Sequence, residues 1–365
     1  MSSFPDEGAP EDPPCAVRYP SSMPVAMPIA ALLSVVPAAP QADQGVEELG
    51  KIRWRHGFEQ ALAESERTRR PALVLFDEVP GCDTVKRYGR QVLSHPLIVE
   101  AAESLFVPVL VYNNRPGPDR AVLESFSERA WNNPVVRILD GQRNALAPRV
   151  AGDYTAGGLA AAMVEALSKA GSTPPGYLQV LAAEGRPAQK ARATFSMYCF
   201  WSGEVAIGGV DGVVSTQPGF LDGHEVVQAT FDPAVVSYDA LVRAAKSAGQ
   251  ASSVYTHDAS QLKIARGIVG RAAQAPGAMR YSAKDDKYQL KHALLRFVPM
   301  TVGQATKVNA ALGRRSDPRR FLSAGQLDLY RAVKKSPRAG WSPQDPRRDF
   351  VAAFAEAQAI AAKIR

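Results

Sequence analysis

Residues 193–204 read ATFSMYCFWSGE, and they combine a strand pattern, a cysteine and the beginning of a helix. The part from Ala193 to Tyr198 has the pattern of a strand. Cys199 follows at the turn into a helix, where the helix dipole and unpaired backbone N–H groups favour a thiolate. Cys199 is therefore a candidate nucleophile, and a small buried hydrophobic residue is the alternative.

The segments that follow Cys199 contain two strands and then a helix. VVSTQPGF (213–220) and EVVQATFD (225–232) alternate between apolar and polar residues, as half-buried strands do. SYDALVRAAKSAG (237–249) has the apolar spacing of an amphipathic helix and ends at a glycine. This half of the chain is predicted to be an α+β unit.

The first half of the chain repeats the order of strand, cysteine and helix. PALVLFDEV (71–79), FVPVLVYNN (106–114) and VVRILD (135–140) are predicted to be buried strands that alternate with helices, which favours an α/β layer. Cys82 lies in EVPGCDT, directly after the first strand, where a helix dipole also favours a reactive thiolate. A small buried hydrophobic residue is again the alternative.

Length and linker composition divide the chain into two domains with additional segments. A chain of 365 residues with 46% hydrophobic and 22% charged residues is typical of globular protein, and it is longer than one core usually serves. The predicted segments are a disordered tail or signal region (1–50), a first domain (51–171), a linker (172–192), a second domain (193–313) and a C-terminal helical extension (314–365).

Charge and ligand spacing argue against several classes of site. The net charge of +7 arises largely from basic pairs late in the chain, and no nucleic-acid-reading motif accompanies them. The three cysteines, which include Cys15, and the five histidines are dispersed, so neither a disulfide framework nor a metal site is expected. We predict no metal, no organic cofactor and no nucleic-acid partner.

The apolar run within residues 23–42 bears on localisation. It has about the length of a signal-peptide core, but it is too short and too interrupted by prolines to span a bilayer. No integral membrane span is expected, and both a cytoplasmic and an exported location stay open.

Several motifs in residues 193–312 occur in the order found in one enzyme family. The matching pieces are CFW (199–201), DGVVSTQPGFLDG (211–223), HEVVQATFDPAVVSYDALV (224–242), SVYTHDASQLKIA (253–265) and KDDKYQLKHALLRFVPMTVGQATKVNAAL (284–312). This region resembles peptide methionine sulfoxide reductase A, which implies a ferredoxin-like α+β core. The resemblance implies that Cys199 attacks the sulfoxide, that Phe200 and Trp201 shape the methyl pocket, and that Glu225 donates the proton.

The same region departs from the family at positions close to the expected substrate. Phe220 stands where the family has a tyrosine, so this side chain cannot donate a hydrogen bond to the sulfoxide oxygen. Tyr198 replaces the glycine before the cysteine, and Ala251 and Ser252 replace a tyrosine and an arginine. No cysteine follows Cys199, so a resolving thiol must come from elsewhere.

Residues 52–170 resemble a second family, the thioredoxin-like (seleno)proteins that carry selenocysteine or cysteine in a VPG motif. Cys82 occupies that position, and Pro134 matches the proline that is cis and faces the active cysteine in thioredoxin-like folds. Val85 stands where a thioredoxin would place its second cysteine, and Thr84 lies one residue earlier than the family's threonine. Cys82 therefore has no local dithiol partner.

The two resemblances together suggest a thiol-dependent redox enzyme, a divergent sulfoxide reductase acting on sulfur groups. Cys199 would be its nucleophile, and Cys82 would be a resolving or electron-relay thiol. The expected partners are a thiol reductant of the thioredoxin or glutathione type and an oxidised protein or small-molecule sulfoxide. The alternative is a non-catalytic binding or scaffold protein that retains a degenerate reductase pocket.

Overall fold

A computed structural model describes residues 45–131, 134–185, 190–249, 251–274 and 277–364, without the side chains at positions 251, 252, 273 and 274. Cys15 and the apolar run within 23–42 lie outside the described residues, as does most of the predicted tail. The described residues all fall within a single compact unit.

A three-stranded sheet lies at the centre of the first half. Its strands are β1 (Ala72–Asp77), β2 (Val107–Tyr112) and β3 (Val135–Leu139). The central strand β1 pairs parallel with β2 and antiparallel with β3. Single bridges extend the two edges, from Arg55 to Val109 and from Val150 to Val136. The predicted buried strands of the first half are therefore confirmed.

Helices cover both faces of this sheet. Leu73 and Leu75 belong to the core on one face, whereas Val74 and Phe76 belong to the core on the other. Because successive side chains of a strand point to opposite faces, both faces of β1 are buried. The described helices of this half are α1 (Phe58–Thr68), α2 (Asp83–Tyr88), α3 (Pro96–Leu105), α4 (Pro118–Ser125), α5 (Ala156–Lys169) and α6 (Gly176–Glu184), with a 3-10 turn at Glu47–Leu49 and a π-helical turn at Gly89–Leu93.

Helix α6 lies within the segment predicted as a linker, and it packs on the first half. Its Leu178 and Leu181 belong to the same core as the strands. Helices α5 and α6 approach closely, since a Cβ atom at Gly157 would lie 2.5 Å from Cα of Gly185. Only glycine allows this backbone contact.

A six-stranded sheet organises the second half. Its strands are β4 (Ala191–Met197), β5 (Val213–Leu221), β6 (His224–Phe231), β7 (Ala251–Thr256), β8 (Ala272–Gln274) and β9 (Arg280–Tyr281). They lie in the order β8-β7-β4-β6-β5-β9, antiparallel except for the β7–β8 pair. The described helices are α7 (Phe200–Gly208), α8 (Tyr238–Ser247), α9 (Ala259–Val269), α10 (Tyr288–Lys291) and α11 (Val302–Gly313), with a 3-10 turn at Leu294–Phe297. The whole architecture is mixed α/β.

Two further helices, α12 (Ala324–Lys335) and α13 (Phe350–Ala362), form the C-terminal extension. The sequence pattern predicts the first of them over 317–333, but that start is wrong. Pro318–Phe321 forms a separate 3-10 turn, and Ser323 caps α12 through a capping box with Gln326.

The extension contacts both halves of the chain. The Glu100 carboxylate of α3 accepts the backbone N–H groups of Ala324 and Gly325, at 2.6 and 3.0 Å, at the start of α12. Burial lowers the pKa of His95 to about 4, and its ring stacks on Phe350 with centroids 4.9 Å apart.

Within the described ranges, no helix has both the length and the apolarity needed to cross a membrane.

Candidate functional site

Cys199 lies between β4 and α7, at the N-cap of that helix. Its backbone is extended, with φ −144° and ψ 121°, and the residue is half-buried. The first N–H of the helix, that of Phe200, donates to Oε2 of Glu225 at 2.9 Å. A helix N-terminus attracts a carboxylate because its first N–H groups have no intrahelical acceptor. This contact holds the Glu225 carboxylate one residue away from the cysteine.

Aromatic rings form the wall beside Cys199. Phe200 is buried, and its ring meets Phe220 edge to face at 5.6 Å between centroids. Trp201 lies 6.3 Å from Phe200 and stacks on Tyr288 at 3.9 Å. The structure therefore brings together five residues that the sequence predicts for the site, namely Cys199, Phe200, Trp201, Phe220 and Glu225.

Trp201 is fixed by Asp285, which lies in the matching piece 284–312 but is not among the predicted site residues. Its Nε1–H donates to Oδ1 of Asp285 at 3.2 Å, and Ser282 donates to the other oxygen of Asp285 at 2.6 Å. Asp285 and Tyr288 lie more than 80 positions along the chain from Trp201. No local sequence pattern links residues at that separation, so only the fold reveals the contact.

A buried ionic network supports α7 from behind. Glu204 is fully buried, and its carboxylate accepts from Thr216 Oγ1 and Lys287 Nζ, both at 2.7 Å. Lys287 also pairs with Asp286 at 2.7 Å, and Arg347 of the extension pairs with Asp286 at 2.9 Å. Burial alone would raise the pKa of Asp286, but the neighbouring Lys287 and Arg347 cations lower it. The charges therefore compensate each other inside the protein.

Cys82 occupies the matching local position on the first sheet. It is the N-cap of α2 and is exposed. Carboxylates accept the N–H groups around it, since Gly81 donates to Glu48 at 3.0 Å and Cys82 donates to Glu78 at 3.3 Å. Cys82 and Cys199 are both free thiols.

Asp77 lies at the end of β1, close to the Cys82 loop, and is fully buried. Burial raises its pKa to about 8, an effect that the N–H of Glu78 opposes and the charges of Glu78 and Glu48 reinforce. A carboxyl group of this kind retains its proton at neutral pH.

Two features predicted from the sequence involve atoms outside the described residues. Pro134 is buried directly before β3, but its bond to Asn133 lies outside the described residues, so the predicted cis geometry stays a prediction. The side chains of Ala251 and Ser252 also lie outside them. A cis peptide bond occurs between Val79 and Pro80, within the VPG motif.

A cavity of about 610 Å³ lies between the second half and the C-terminal extension. Its lining includes Leu290, Arg296 and Arg347, and none of the predicted site residues. Among the residues that the structure describes, no three His, Cys, Asp or Glu side chains are grouped so that they could hold a metal ion.

Comparison with known proteins finds similarity over a small part of the chain. No family model matches. The peptide methionine sulfoxide reductase MsrA of Methanothermobacter thermautotrophicus is 43% identical over 68 residues, which cover 14% of this chain and 40% of that protein. MsrA 1 of Nostoc sp. is 40% identical over 68 residues, and MsrA of Geobacter sulfurreducens is 41% identical over 69 residues.

Among solved structures, methionine sulfoxide reductase A of Corynebacterium diphtheriae covers 33% of this chain and 84% of its own length, with 20% identity and a TM-score of 0.27. The chain spans about two fifths of the length of the curated relatives named above. A small part of this chain is thus similar to peptide methionine sulfoxide reductases.

Proposed function

We propose that this chain is a thiol-dependent enzyme that reduces methyl sulfoxides, with Cys199 as the nucleophile and Glu225 as the proton donor. The observation that carries the proposal is the position of Glu225, whose Oε2 accepts the Phe200 N–H at 2.9 Å, so that the carboxyl group lies next to the candidate nucleophile and its other oxygen can carry the transferred proton. An acid and a nucleophile at the same helix N-terminus are the two groups that sulfoxide reduction requires. The partial similarity to peptide methionine sulfoxide reductases supports the same reaction class.

The proposed first step transfers the sulfoxide oxygen to the cysteine. The Cys199 thiolate attacks the sulfoxide sulfur and forms a sulfur–sulfur bond, while Glu225 gives its proton to the sulfoxide oxygen. The resulting hydroxyl group then passes to the Cys199 sulfur as the sulfur–sulfur bond and the substrate's sulfur–oxygen bond break, leaving a methyl sulfide and a sulfenic acid on Cys199. The substrate is reduced by two electrons and the cysteine is oxidised by two.

Phe200, Trp201 and Phe220 are proposed to hold the methyl and thioether groups. Sulfur and methyl groups pack favourably on aromatic rings. The edge-to-face contact of Phe200 with Phe220, and the stacking of Trp201 on Tyr288, keep these rings in fixed positions. The wall is therefore suited to an apolar group.

Cys82 is proposed to return Cys199 to its thiol. A Cys82 thiol that condenses with the sulfenic acid releases water and forms a Cys82–Cys199 disulfide. A thiol reductant of the thioredoxin or glutathione type then supplies two electrons and two protons, which regenerate both thiols. The exposure of Cys82 supports its access to such a reductant.

We further infer that residues 51–171 form a thioredoxin-like domain and residues 193–313 a reductase-A-like domain with a ferredoxin-like core. The parallel β1–β2 pair, the antiparallel β3 and a cysteine directly after β1 support the first assignment. The boundaries 172–192 for the linker and 314–365 for the extension complete this division. The buried Pro134 is proposed to support the Cys82 loop.

The proposal is tested by reduction of N-acetylmethionine sulfoxide with dithiothreitol, followed by chromatography of the sulfide formed. We expect Cys199→Ser to lower the rate by at least about 10⁴-fold, because loss of a nucleophile removes the covalent route. Cys82→Ser, the matched cysteine replacement, should retain the first turnover. Sulfide formation at the unsubstituted rate in Cys199→Ser would exclude Cys199 from the reaction.

A second candidate function is recognition of a methionine or modified side chain without catalysis. Phe220 favours it, because a phenyl ring offers no donor for the sulfoxide oxygen at the position where it meets Phe200. Tyr198, directly before Cys199, is 92% exposed and provides an aromatic surface for a bound protein. Binding of the sulfoxide without any sulfide product would favour this function.

A further inference from the structure

Arg280 lies in a row with Glu225 and Phe220 across three adjacent strands. Phe220 of β5 is directly opposite Glu225 of β6 on one side and Arg280 of β9 on the other. Residues directly opposite each other in antiparallel strands project from the same face of the sheet. An acid, an aromatic ring and a cation therefore share one face.

This face is the one that meets the N-terminus of α7. Phe220 contacts the ring of Phe200, and the Phe200 N–H donates to Glu225. The guanidinium carbon of Arg280 lies 4.5 Å from the centroid of the Phe220 ring. The Arg280 cation therefore lies against Phe220, one of the rings that form the wall beside Cys199.

Arg280 differs from Arg347, the arginine that packs on the neighbouring residue Tyr281. Arg347 lies 4.6 Å from the Tyr281 ring and is neutralised by Asp286 at 2.9 Å. Arg280 is exposed, and no carboxylate of the described residues forms an ion pair with it. A guanidinium that lies over a ring keeps its N–H groups, which project in the guanidinium plane, available for an incoming anion.

We infer that Arg280 makes this site select methyl sulfoxides that carry a carboxylate within a few bonds of the sulfur. This inference rests on the proposed function, because it assigns the substrate class of the same site. The methyl sulfoxide lies against Phe200 and Trp201, and the carboxylate reaches across Phe220 to the guanidinium. The charge of Arg280 thereby adds a recognition group at the position where Phe220 offers no donor.

The test compares two probes that differ in charge alone at the relevant position. N-acetylmethionine sulfoxide is an anion at neutral pH, and its N-methylamide is neutral. Dissociation constants are measured by calorimetry on full-length protein carrying Cys199→Ser, so that no turnover occurs. We expect about two- to fivefold tighter binding of the anion, the range of a solvent-exposed ion pair, with a preference that shrinks in salt.

Adding Arg280→Leu should abolish the preference and leave binding of the neutral amide unchanged, whereas Arg280→Lys should retain part of it. Arg120→Leu, which removes one positive charge from α4 in the other half, is the matched control and should retain all of it. Equal affinities for the two probes, or a preference that survives Arg280→Leu, would overturn the inference.

The unsubstituted protein separates this inference from the proposed function. If it reduces the two probes equally well, the proposed function stands and the inference falls. If the anion binds preferentially through Arg280 but no sulfide forms, the selectivity stands and the reductase function falls. Failure of both probes to bind overturns both.

Discussion

The regions around Cys82 and Cys199 share one local pattern and differ in what surrounds it. In both, a buried strand leads to a cysteine at the N-cap of a helix. Cys82 is exposed and caps a six-residue helix, whereas Cys199 is half-buried beside aromatic rings and caps a nine-residue helix. A strand–cysteine–helix pattern therefore indicates where a reactive thiol can lie, but the tertiary surroundings determine what it can bind.

The buried acids of the two regions sharpen the contrast. Glu204 behind Cys199 is fully paired, with Lys287 and Thr216 as donors. Asp77 beside the Cys82 loop has one buried oxygen, Oδ2, for which the described residues provide no partner. A paired buried charge is part of a rigid support, whereas a buried carboxyl group without a cation is held in its neutral form.

Among the acids of the two regions, Glu225 should give the largest effect when it is changed to Gln. Glutamine keeps an oxygen acceptor for the Phe200 N–H but cannot donate a proton as a carboxylic acid does, so we expect the first-turnover rate to fall about 10²- to 10⁴-fold. Rapid quench with N-acetylmethionine sulfoxide measures this rate.

Glu78→Gln is the matched control, because Glu78 accepts the Cys82 N–H as Glu225 accepts that of Phe200. This variant should leave the first turnover unchanged. Equal losses in the two variants would mean that the carboxylates act only through helix capping.

Glu204→Gln tests the support behind Cys199. Removing one partner of a buried ion pair leaves Lys287 incompletely compensated, so we expect the free energy of unfolding to fall by about 3 kcal/mol. Urea denaturation followed by circular dichroism measures it. An unchanged denaturation midpoint would show that Asp286 alone balances Lys287.

Asp77→Asn should raise the free energy of unfolding, by less than Glu204→Gln lowers it. The folded pKa of about 8 lies above the ordinary value of 3.8, so the stability contributed by protonated Asp77 is present below pH 4 and is lost as the pH rises to about 8. We expect the variant to gain about 1 to 3 kcal/mol over the unsubstituted protein at pH 8, and less at pH 4. Urea titrations at both pH values measure the difference, and a gain independent of pH would contradict it.

Local patterns in the sequence were sufficient for the elements that present the two cysteines. Continuous apolar runs predict β1 and β2, because a strand that is buried on both faces is apolar throughout. Alternation of apolar and polar residues predicts β5 and β6, because a strand of this kind is buried on one face. The CFW motif and Glu225 could be placed in one site through a family resemblance. The predicted start of α12 was wrong, because its N-cap residue, Ser323, lies inside a stretch whose apolar spacing is that of a continuous helix.

Contacts between distant segments could not be predicted. Glu204 and Lys287 are 83 positions apart, and nothing near Glu204 signals that a carboxylate in this helix is buried with a cation. The position of Arg280 depends on the register of β9 against β5. Strand β9 has only two residues and no sequence pattern of its own. The pairing of Arg347 with Asp286 depends in turn on how the extension packs.

The division of roles between the two cysteines is tested most directly by trapping the oxidised cysteine. Full-length protein carrying Cys82→Ser is mixed with one equivalent of N-acetylmethionine sulfoxide and dimedone, without reductant, and the labelled peptide is identified by mass spectrometry. We predict a dimedone adduct on Cys199 in an amount equal to the sulfide released. Sulfide release without an adduct on Cys199, or no sulfide at all, would contradict the role of Cys199 as the attacking thiol.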